Sequence, residues 1–295
     1  MTPRFVAVCA SLLALALAAP AVAQEEEESS RFSGMFQLDW TNAYYFRGIL
    51  QEREGLIFQP WAELYVNLYS SEDGFLRDLT IGAGMWNSFQ SERTLAGSVD
   101  GGDQNQWWYE ADYYPLISMD FAGGLSLLTV YYFYTSPNDA FTTVQELNFK
   151  LSWDDSEAFG AWSMQPWVNV ATEIVNTSYG PQEGTGLQFG IGPTLYAAED
   201  ESFTLTAPAE VGLSLDDYYE GSNGENHTFG YANVGLAANI PLSFVPESAG
   251  AWSLILSGKY FFFGHQLESD STPDTTGNRG RGSYPVGMAS ISVAF

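Results

Sequence analysis

The stretch "SYPVGMASISVAF", residues 283–295, alternates between apolar and small polar side chains and decides the fold class of the protein. Ile291 and Val293 are apolar, whereas Ser292 between them is polar. A period of two is typical of a β-strand that has one face in apolar and one face in polar surroundings. We expect a lipid-facing side of Gly287, Ala289, Ile291, Val293 and Phe295, and an inward side of Met288, Ser290, Ser292 and Ala294.

The same alternation recurs along the chain in segments of about ten to fifteen residues, bounded by Gly, Asn, Asp, Ser and Pro. In one such segment Leu64 and Val66 fall on one face, and Glu63 falls on the other. The pattern predicts an all-β chain of twelve strands. We place them near 33–47, 55–69, 77–90, 105–119, 124–135, 142–154, 163–176, 185–197, 202–216, 227–240, 251–264 and 283–295.

The connections between these strands alternate in length. The links 70–76, 121–124 and 197–201 are short, whereas 91–105 and 264–282 are long and polar. Short turns on one side, long loops on the other and an even strand number are typical of outer-membrane proteins. We therefore predict a transmembrane, antiparallel, up-and-down β-barrel of about twelve strands, with both chain ends in the periplasm. A soluble β-sandwich is the alternative fold.

The first residues predict export. Arg4 precedes an apolar run over 5–19, and the small residues Ala21 and Ala23 form a cleavage site before Gln24. The apolar run is shorter than the roughly 20 residues that a helical membrane span needs. The predicted domains are a signal peptide (1–23), an acidic N-terminal tail (24–32) and an outer-membrane barrel (33–295).

The charge and the cysteine content exclude several functions. Loss of Arg4 with the signal peptide would take the formal charge from −26 to −27, which disfavours nucleic-acid binding because phosphate neutralisation needs a basic surface. The only cysteine, Cys9, lies in the predicted signal peptide, so the mature chain offers no disulfide and no thiolate site. We predict no cofactor and no metal site.

Two stretches resemble known outer-membrane proteins. The segment 38–52, "LDWTNAYYFRGILQE", is similar to the N-terminal pattern of the TorF-type family of porins, which are barrels of poorly known function. The final strand, ending on Phe295, resembles the signal that outer-membrane proteins present to the barrel-assembly machinery, and it implies that machinery as a partner. The residues that match the TorF-type pattern are Asp39, Tyr45, Phe46, Arg47, Gly48, Ile49 and Gln51.

Charged residues fall on the inward side of the predicted strands. Placement towards lipid would cost roughly 2–4 kcal/mol for a lysine or arginine at the membrane midplane, so an inward position is expected whatever the function. The excess of acids would attract cations and repel anions in a narrow lumen. We predict a pore lined by Asp39, Glu63, Glu110, Asp112, Glu146, Lys150, Glu173, Glu210 and Lys259.

This lining predicts a porin-like channel for passive diffusion of ions or small solutes, with a preference for cations. A barrel of this size can also be closed by large inward side chains, for which the candidates are Trp61, Tyr65, Trp86, Trp167 and Tyr231. The acids could instead pair with Lys150, Lys259 and Arg47 in a structural network.

Two other functions stay open. A non-conducting structural or adhesive barrel would act through its acidic extracellular loops, with lipid and lipopolysaccharide as partners. A hydrolase at the loop edge would need His227 or His265, and a His–Asp pair is the minimum for general base work. No catalytic residue is assigned, because neither histidine has a nucleophile placed beside it in the sequence.

Overall fold

The computed structural model describes residues 31–92, 107–220, 224–269 and 280–295. The predicted signal peptide, nearly all of the predicted acidic tail and the tips of two predicted acidic loops (93–106 and 270–279) lie outside the described residues. The prediction of the cleavage site is therefore not addressed by the fold.

The described chain is built almost entirely of strands. Two short helices, Ser156–Phe159 and His265–Ser269, and two 3-10 turns, Gly160–Trp162 and Glu247–Ala249, lie in connections. No helix in the described ranges is long and apolar enough to cross a membrane. The strands are β1 (Phe32–Thr41), β2 (Tyr44–Phe46), β3 (Ile49–Glu52), β4 (Ile57–Ser70), β5 (Leu76–Gln90), β6 (Trp108–Phe121), β7 (Leu125–Thr135), β8 (Val144–Trp153), β9 (Trp167–Val175), β10 (Thr185–Ile191), β11 (Thr194–Ala197), β12 (Thr204–Thr206), β13 (Ala209–Asp216), β14 (Phe229–Pro241), β15 (Ala251–Phe263) and β16 (Ser283–Ala294).

Twelve strands form a closed antiparallel barrel, as predicted. Each barrel strand pairs with its neighbours along the chain, and the ring closes where β1 pairs with β16 in a register that sets Asp39 opposite Ser290. The barrel strands are β1, β4–β10 and β13–β16, while β11 and β12 extend β10 and β13 at one end. Closure leaves no open strand edge, which is the requirement for a sheet in hydrocarbon.

Two details of the predicted strands are wrong. The first strand ends at Thr41 instead of continuing to residue 47, because the chain turns into the barrel and forms the separate hairpin β2–β3. The predicted strands 185–197 and 202–216 are each interrupted, at Pro193 and at Pro208. Proline has no N–H to donate to a ladder, so the pairing breaks there.

The outside of the barrel is apolar. Residues at alternate positions of successive strands are exposed on this side, and aromatic pairs lie near both ends of the strands: Phe58 stacks on Phe89 at 4.9 Å between ring centroids, and Phe75 contacts Phe121 at 5.0 Å. An apolar band with aromatic ends matches the surface of a barrel in lipid. The exposed residues of the band include Leu64, Ile81, Ile117, Phe149, Leu151, Phe189, Val234, Leu236, Leu256 and Ile291.

The two ends of the barrel differ. The long connections that follow β1, β5, β7, β9, β13 and β15 meet at one end, which we call the loop end. The short connections meet at the other, the turn end, together with Phe32 and Phe295, where Gly34 and Phe295 exchange backbone hydrogen bonds of 2.8 and 3.0 Å. All side chains discussed below lie in the lumen between these ends unless stated otherwise.

Candidate functional site in the barrel lumen

The hairpin β2–β3, residues Tyr44–Glu52, lies across the lumen at the loop end; we call it the crossing hairpin. It leaves the wall after β1 and reaches β8 on the far side. Tyr44 contacts Trp86 on one flank, at 5.2 Å between ring centroids, and Tyr45 stacks on Phe263 on the other, at 5.0 Å. The hairpin therefore divides the lumen into a loop half, on the side of the loop end, and a turn half, on the side of the turn end.

The turn of the crossing hairpin is held in a conformation that suits glycine. Arg47 and Gly48 both have positive φ angles, 47° and 81°, as expected for the two-residue turn of a tight hairpin. A Cβ atom on Gly48 would lie 2.7 Å from the Cβ of Tyr231. Gly48 is therefore required both by the backbone conformation and by the close approach of Tyr231 on β14.

An ion pair fastens the tip of the crossing hairpin to the wall. The Arg47 guanidinium forms a bidentate contact with Glu146 on β8, with 2.7 Å between Nη2 and Oε1, and it also donates to the side-chain oxygen of Asn148 at 3.0 Å. Tyr134 donates to the same carboxylate at 3.0 Å, and Tyr218 donates at 3.1 Å. Glu146 is fully buried, and its oxygens are satisfied by these donors.

Aromatic side chains from the loops occupy much of the remaining space at the loop end, beside a cavity of about 90 Å³. Tyr218 and Tyr219 fold inward from the connection after β13, and Tyr219 donates to the backbone oxygen of Arg47 at 3.1 Å. The resulting buried cluster occupies the loop half of the lumen around the hairpin tip. Its members are Ile49, Tyr179, Tyr218, Tyr219, Tyr231, Phe261, Phe263 and Leu267.

The turn half of the lumen contains a cavity of about 450 Å³. One wall is aromatic and apolar, with Trp86, Tyr132 and Leu128. The other wall is polar and includes Lys150 and Glu210. Its volume lies within the range of small-molecule sites, roughly 300–1,000 Å³.

The nine residues predicted to line a pore lie on barrel strands, and three of them line the cavity. Asp112, Lys150 and Glu210 line the cavity. Lys150 places its ammonium group 4.7 Å from the centroid of the Trp167 ring, and Glu210 accepts a hydrogen bond from Tyr231. These three side chains are the ones that a solute in the cavity would meet.

The other predicted acids are engaged within the wall. Asp39 accepts from Gln37 at 2.7 Å, and Glu63 accepts from Tyr114 at 2.7 Å. Glu110 lies behind the crossing hairpin and accepts from Tyr44 at 2.9 Å.

The last two of the nine residues predicted to line a pore are Glu173 and Lys259. Glu173 accepts from the backbone N–H groups of Ser178 and Gly184, so it holds the loop after β9. Lys259 lies opposite Gly235 on the neighbouring strand.

Sequence reasoning missed the closure of the loop half. Of the large residues proposed as plugs, Trp86 and Trp167 line the cavity and Tyr231 belongs to the buried cluster. The segment that crosses the lumen was placed in the first strand. The sequence did contain one indication, since Arg47–Gly48 is an X-Gly pair between apolar residues, which is a hairpin pattern when glycine supplies a positive φ. Arg47, one of the three cations expected to pair with the acids, forms an ion pair with Glu146 inside the barrel.

The histidines lie away from this cavity. His227 is partly buried in the connection before β14 and donates its backbone N–H to Tyr219 at 3.0 Å, and His265 begins the short helix after β15. Within the described residues, no group of three His, Asp, Glu or Cys side chains could hold a metal ion.

Comparison with known proteins finds no family model and no curated protein that matches the sequence. Membership of the TorF-type family is therefore not confirmed. Solved structures with a similar fold include a NanC porin, with 12% identity over 88% of this chain and 98% of that chain and a TM-score of 0.43. An outer membrane channel from Pseudomonas putida F1 has 10% identity over 92% and 100%, with a TM-score of 0.49. Outer membrane phospholipase A from Escherichia coli has 12% identity over 88% and 91%, with a TM-score of 0.39.

Proposed function

We propose that the protein is an outer-membrane channel for the passive diffusion of ions and small polar solutes, that it prefers cations, and that the crossing hairpin limits its conductance. The observation on which this proposal rests is the cavity of about 450 Å³ inside a closed twelve-stranded barrel, with charged side chains on its wall. A barrel that served only as a scaffold would gain stability by filling this space.

The preference for cations follows from the charges of the lumen. Seven of the nine predicted lining residues are acids and two are lysines. Arg47 neutralises one acid, Glu146, by direct contact. The remaining acids exceed the two lysines, and in a narrow tube with low-dielectric walls this excess favours cations over anions.

The crossing hairpin would act as the constriction. It is a short two-stranded element whose tip depends on one ion pair and on the packing of Gly48 against Tyr231. An isolated two-stranded hairpin is at best marginally stable, so these contacts decide how often it leaves the lumen. Passage of a solute requires such a displacement or a narrow path beside the hairpin.

The proposal includes an orientation. The long acidic loops would face outside and the turn end would face the periplasm, with lipid and lipopolysaccharide around the apolar band and the barrel-assembly machinery as the partner that inserts the final strand. The cavity would then open from the periplasmic half, and the crossing hairpin would face the exterior.

A non-conducting structural or adhesive barrel is the second candidate. The observation in its favour is the extent of the buried aromatic cluster at the loop end. The loop-edge hydrolase is the third, and we propose that the protein is not an enzyme. Replacement of both His227 and His265 by alanine would abolish a hydrolase activity and leave a channel unchanged.

The test is the reversal potential of the refolded mature protein in a planar bilayer under a salt gradient. We expect cation selectivity at about 0.1 M salt, where charges act over about 10 Å, and weaker selectivity near 1 M, where they act over about 3 Å. Glu210→Gln should reduce the preference and Lys150→Met should increase it, because both line the cavity. Anion selectivity in the wild type would contradict the proposal.

A further inference from the structure

The small cavity at the loop end lies against one flank of the crossing hairpin. Its volume is about 90 Å³, which gives room for several water molecules. Part of its wall is polar, with Glu110 on β6, Gln51 on β3 and the loop residues Thr177 and Ser178. We call this space the loop-side cavity, and the cavity of about 450 Å³ the turn-side cavity. Both cavities lie beside the hairpin, so together they mark a route past it.

Two aromatic side chains separate the cavities. Phe46 and Tyr134 line both of them, and their rings are in edge-to-face contact, with 5.2 Å between centroids. Tyr134 is fixed to the wall, because its hydroxyl donates to Glu146 at 3.0 Å and its ring stacks on Tyr132 at 5.2 Å. Phe46 belongs to the crossing hairpin, and its side chain has no polar atom that could anchor it. The ring pair is therefore the partition between the cavities, and Phe46 is its movable member.

An acidic side chain lies on each side of this partition. Glu110 lines the loop-side cavity, and Asp112 lines the turn-side cavity. Asp112 is directly opposite Tyr134 in the register of β6 and β7. The carboxyl groups of Glu110 and Asp112 are hydrogen-bonded to each other. This bond requires a proton on one of the two groups, and the other provides a negative charge that attracts cations and repels anions at the ring pair.

We infer that small inorganic cations cross the loop half beside the crossing hairpin, through the ring pair of Phe46 and Tyr134, and that Phe46 sets the size limit. Apolar rings at a constriction stop the flow of ions when they exclude water. The loop-side cavity is smaller than the roughly 300–1,000 Å³ of sites for organic ligands, so organic ions do not pass while the hairpin is in place. This inference rests on the proposed channel function and adds the route and the solute class to it.

The test measures the small steady current that flows between the rare openings of the hairpin. The refolded mature wild type and Phe46→Ala are compared in planar bilayers, first in potassium chloride and then in tetraethylammonium chloride. We expect Phe46→Ala to raise the steady potassium conductance at least about threefold, because the constriction loses the ring that excludes water. Tetraethylammonium should carry a steady current in Phe46→Ala and none in the wild type. Phe46→Leu should have a smaller effect in the same direction, and it replaces Phe46→Ala if that variant does not fold.

Tyr45→Ala is the matched control. Tyr45 precedes Phe46 on the same hairpin, but it stacks on Phe261 and Phe263 on the other flank, at 5.4 and 5.0 Å between ring centroids. It lines neither of the two cavities. Both truncations remove an aromatic contact of the hairpin, so both should make its openings more frequent. Only Phe46→Ala should raise the steady current between openings.

The outcomes separate the route from the channel. A steady potassium conductance in Phe46→Ala equal to that of a conducting wild type would overturn the route and leave the channel. An equal rise in Tyr45→Ala, or a steady tetraethylammonium current in the wild type, would also overturn the route. A steady current in Phe46→Ala beside a wild type that passes none would support the ring pair as the partition and remove the passive channel. No current in the wild type or in any variant would remove both.

Discussion

The loop half and the turn half of the lumen accommodate polar side chains in opposite ways. Both must place polar side chains inside a barrel whose outside is apolar. In the loop half, Glu146 is fully buried and receives donors from Arg47, Tyr134 and Tyr218. In the turn half, Lys150 and Glu210 line a cavity of about 450 Å³.

This difference shows which half is built to stay closed. A buried ion pair with every oxygen satisfied is stable only as a unit, since loss of either member leaves an unpaired charge. A cavity with charged side chains on its wall is suited to exchange, because water or a solute can occupy it. The fold therefore combines a loop half that an ion pair fastens with a cavity beneath the crossing hairpin.

Removal of one member of the ion pair should have the largest effect on the loop half. Glu146→Ala leaves the Arg47 guanidinium buried without its counter-charge, and we expect a loss of about 3–5 kcal/mol in the free energy of unfolding. Denaturant unfolding of the refolded barrel measures this loss. We also expect more frequent channel openings, because the hairpin tip loses its attachment.

The double variant Arg47→Met with Glu146→Met is the control for that prediction. It removes both charges, so the loss should be much smaller than the sum of the two single losses. Additive losses would mean that the two side chains do not act as a pair.

Gly48→Ala should have an intermediate effect, and the chain provides a matched control. Gly123 in the turn after β6 has nearly the same φ, 82° against 81° for Gly48, but a Cβ there would meet nothing within 4 Å. Gly123→Ala should cost about 1–2 kcal/mol for the left-handed backbone alone. Gly48→Ala should cost about 1–3 kcal/mol more, because its Cβ overlaps Tyr231.

Unfolding free energies of the two glycine variants, measured side by side, separate backbone strain from the contact with Tyr231. Equal losses would show that Gly48 does not pack closely against Tyr231.

The smallest effect is expected at the turn end, at Asp155 in the connection after β8. Burial opposes the charge of this carboxylate, but hydrogen bonds from the Ser163 hydroxyl and from the backbone N–H groups of Met164 and Gln165 (2.9 Å for Gln165) lower its pKa below the ordinary value of 3.8. A lowered pKa stabilises the fold above the ordinary value, and this stabilisation is lost as the pH falls through the folded-state pKa.

Asp155→Asn should therefore be less stable than the wild type at neutral pH, and the difference should vanish as the pH falls through the lowered folded-state pKa of Asp155. Thermal unfolding at several pH values measures it. Conductance should not change, because Asp155 lies outside the lumen. A change in conductance would mean that the two halves of the molecule are coupled through the wall.

The barrel itself was predictable from the sequence, because closure in lipid imposes a rule on each strand separately. Alternation placed Ser290 inward and Ile291 outward, and the structure places them so. The number of strands followed from the same rule. The breaks at Pro193 and Pro208 were not predictable from proline alone, because β4 and β6 continue through Pro60 and Pro115.

The crossing hairpin was not predictable by alternation. Tyr44, Tyr45 and Phe46 are apolar in succession, so they fit a strand in lipid as well as a hairpin with aromatic neighbours on both flanks. Whether the segment forms a strand or a hairpin depends on Glu146, which binds Arg47 and lies 99 residues further along the chain than Arg47. The alternation of apolar and polar residues indicates which face of the sheet a residue takes. It contains no information on which lumen-facing side chains of distant strands contact each other.

The most direct test of the account compares single-channel conductance between the wild type and a variant in which 42–54 is replaced by a short Gly-Ser linker. The two proteins are refolded and measured in the same bilayer, and their circular dichroism confirms that both are barrels. We predict low conductance with rare openings in the wild type and a persistent increase of at least about fivefold in the variant, as a twelve-stranded barrel without its filling leaves a narrow aqueous path. Equal conductance in the two proteins would show that the crossing hairpin does not close the lumen and would contradict the account.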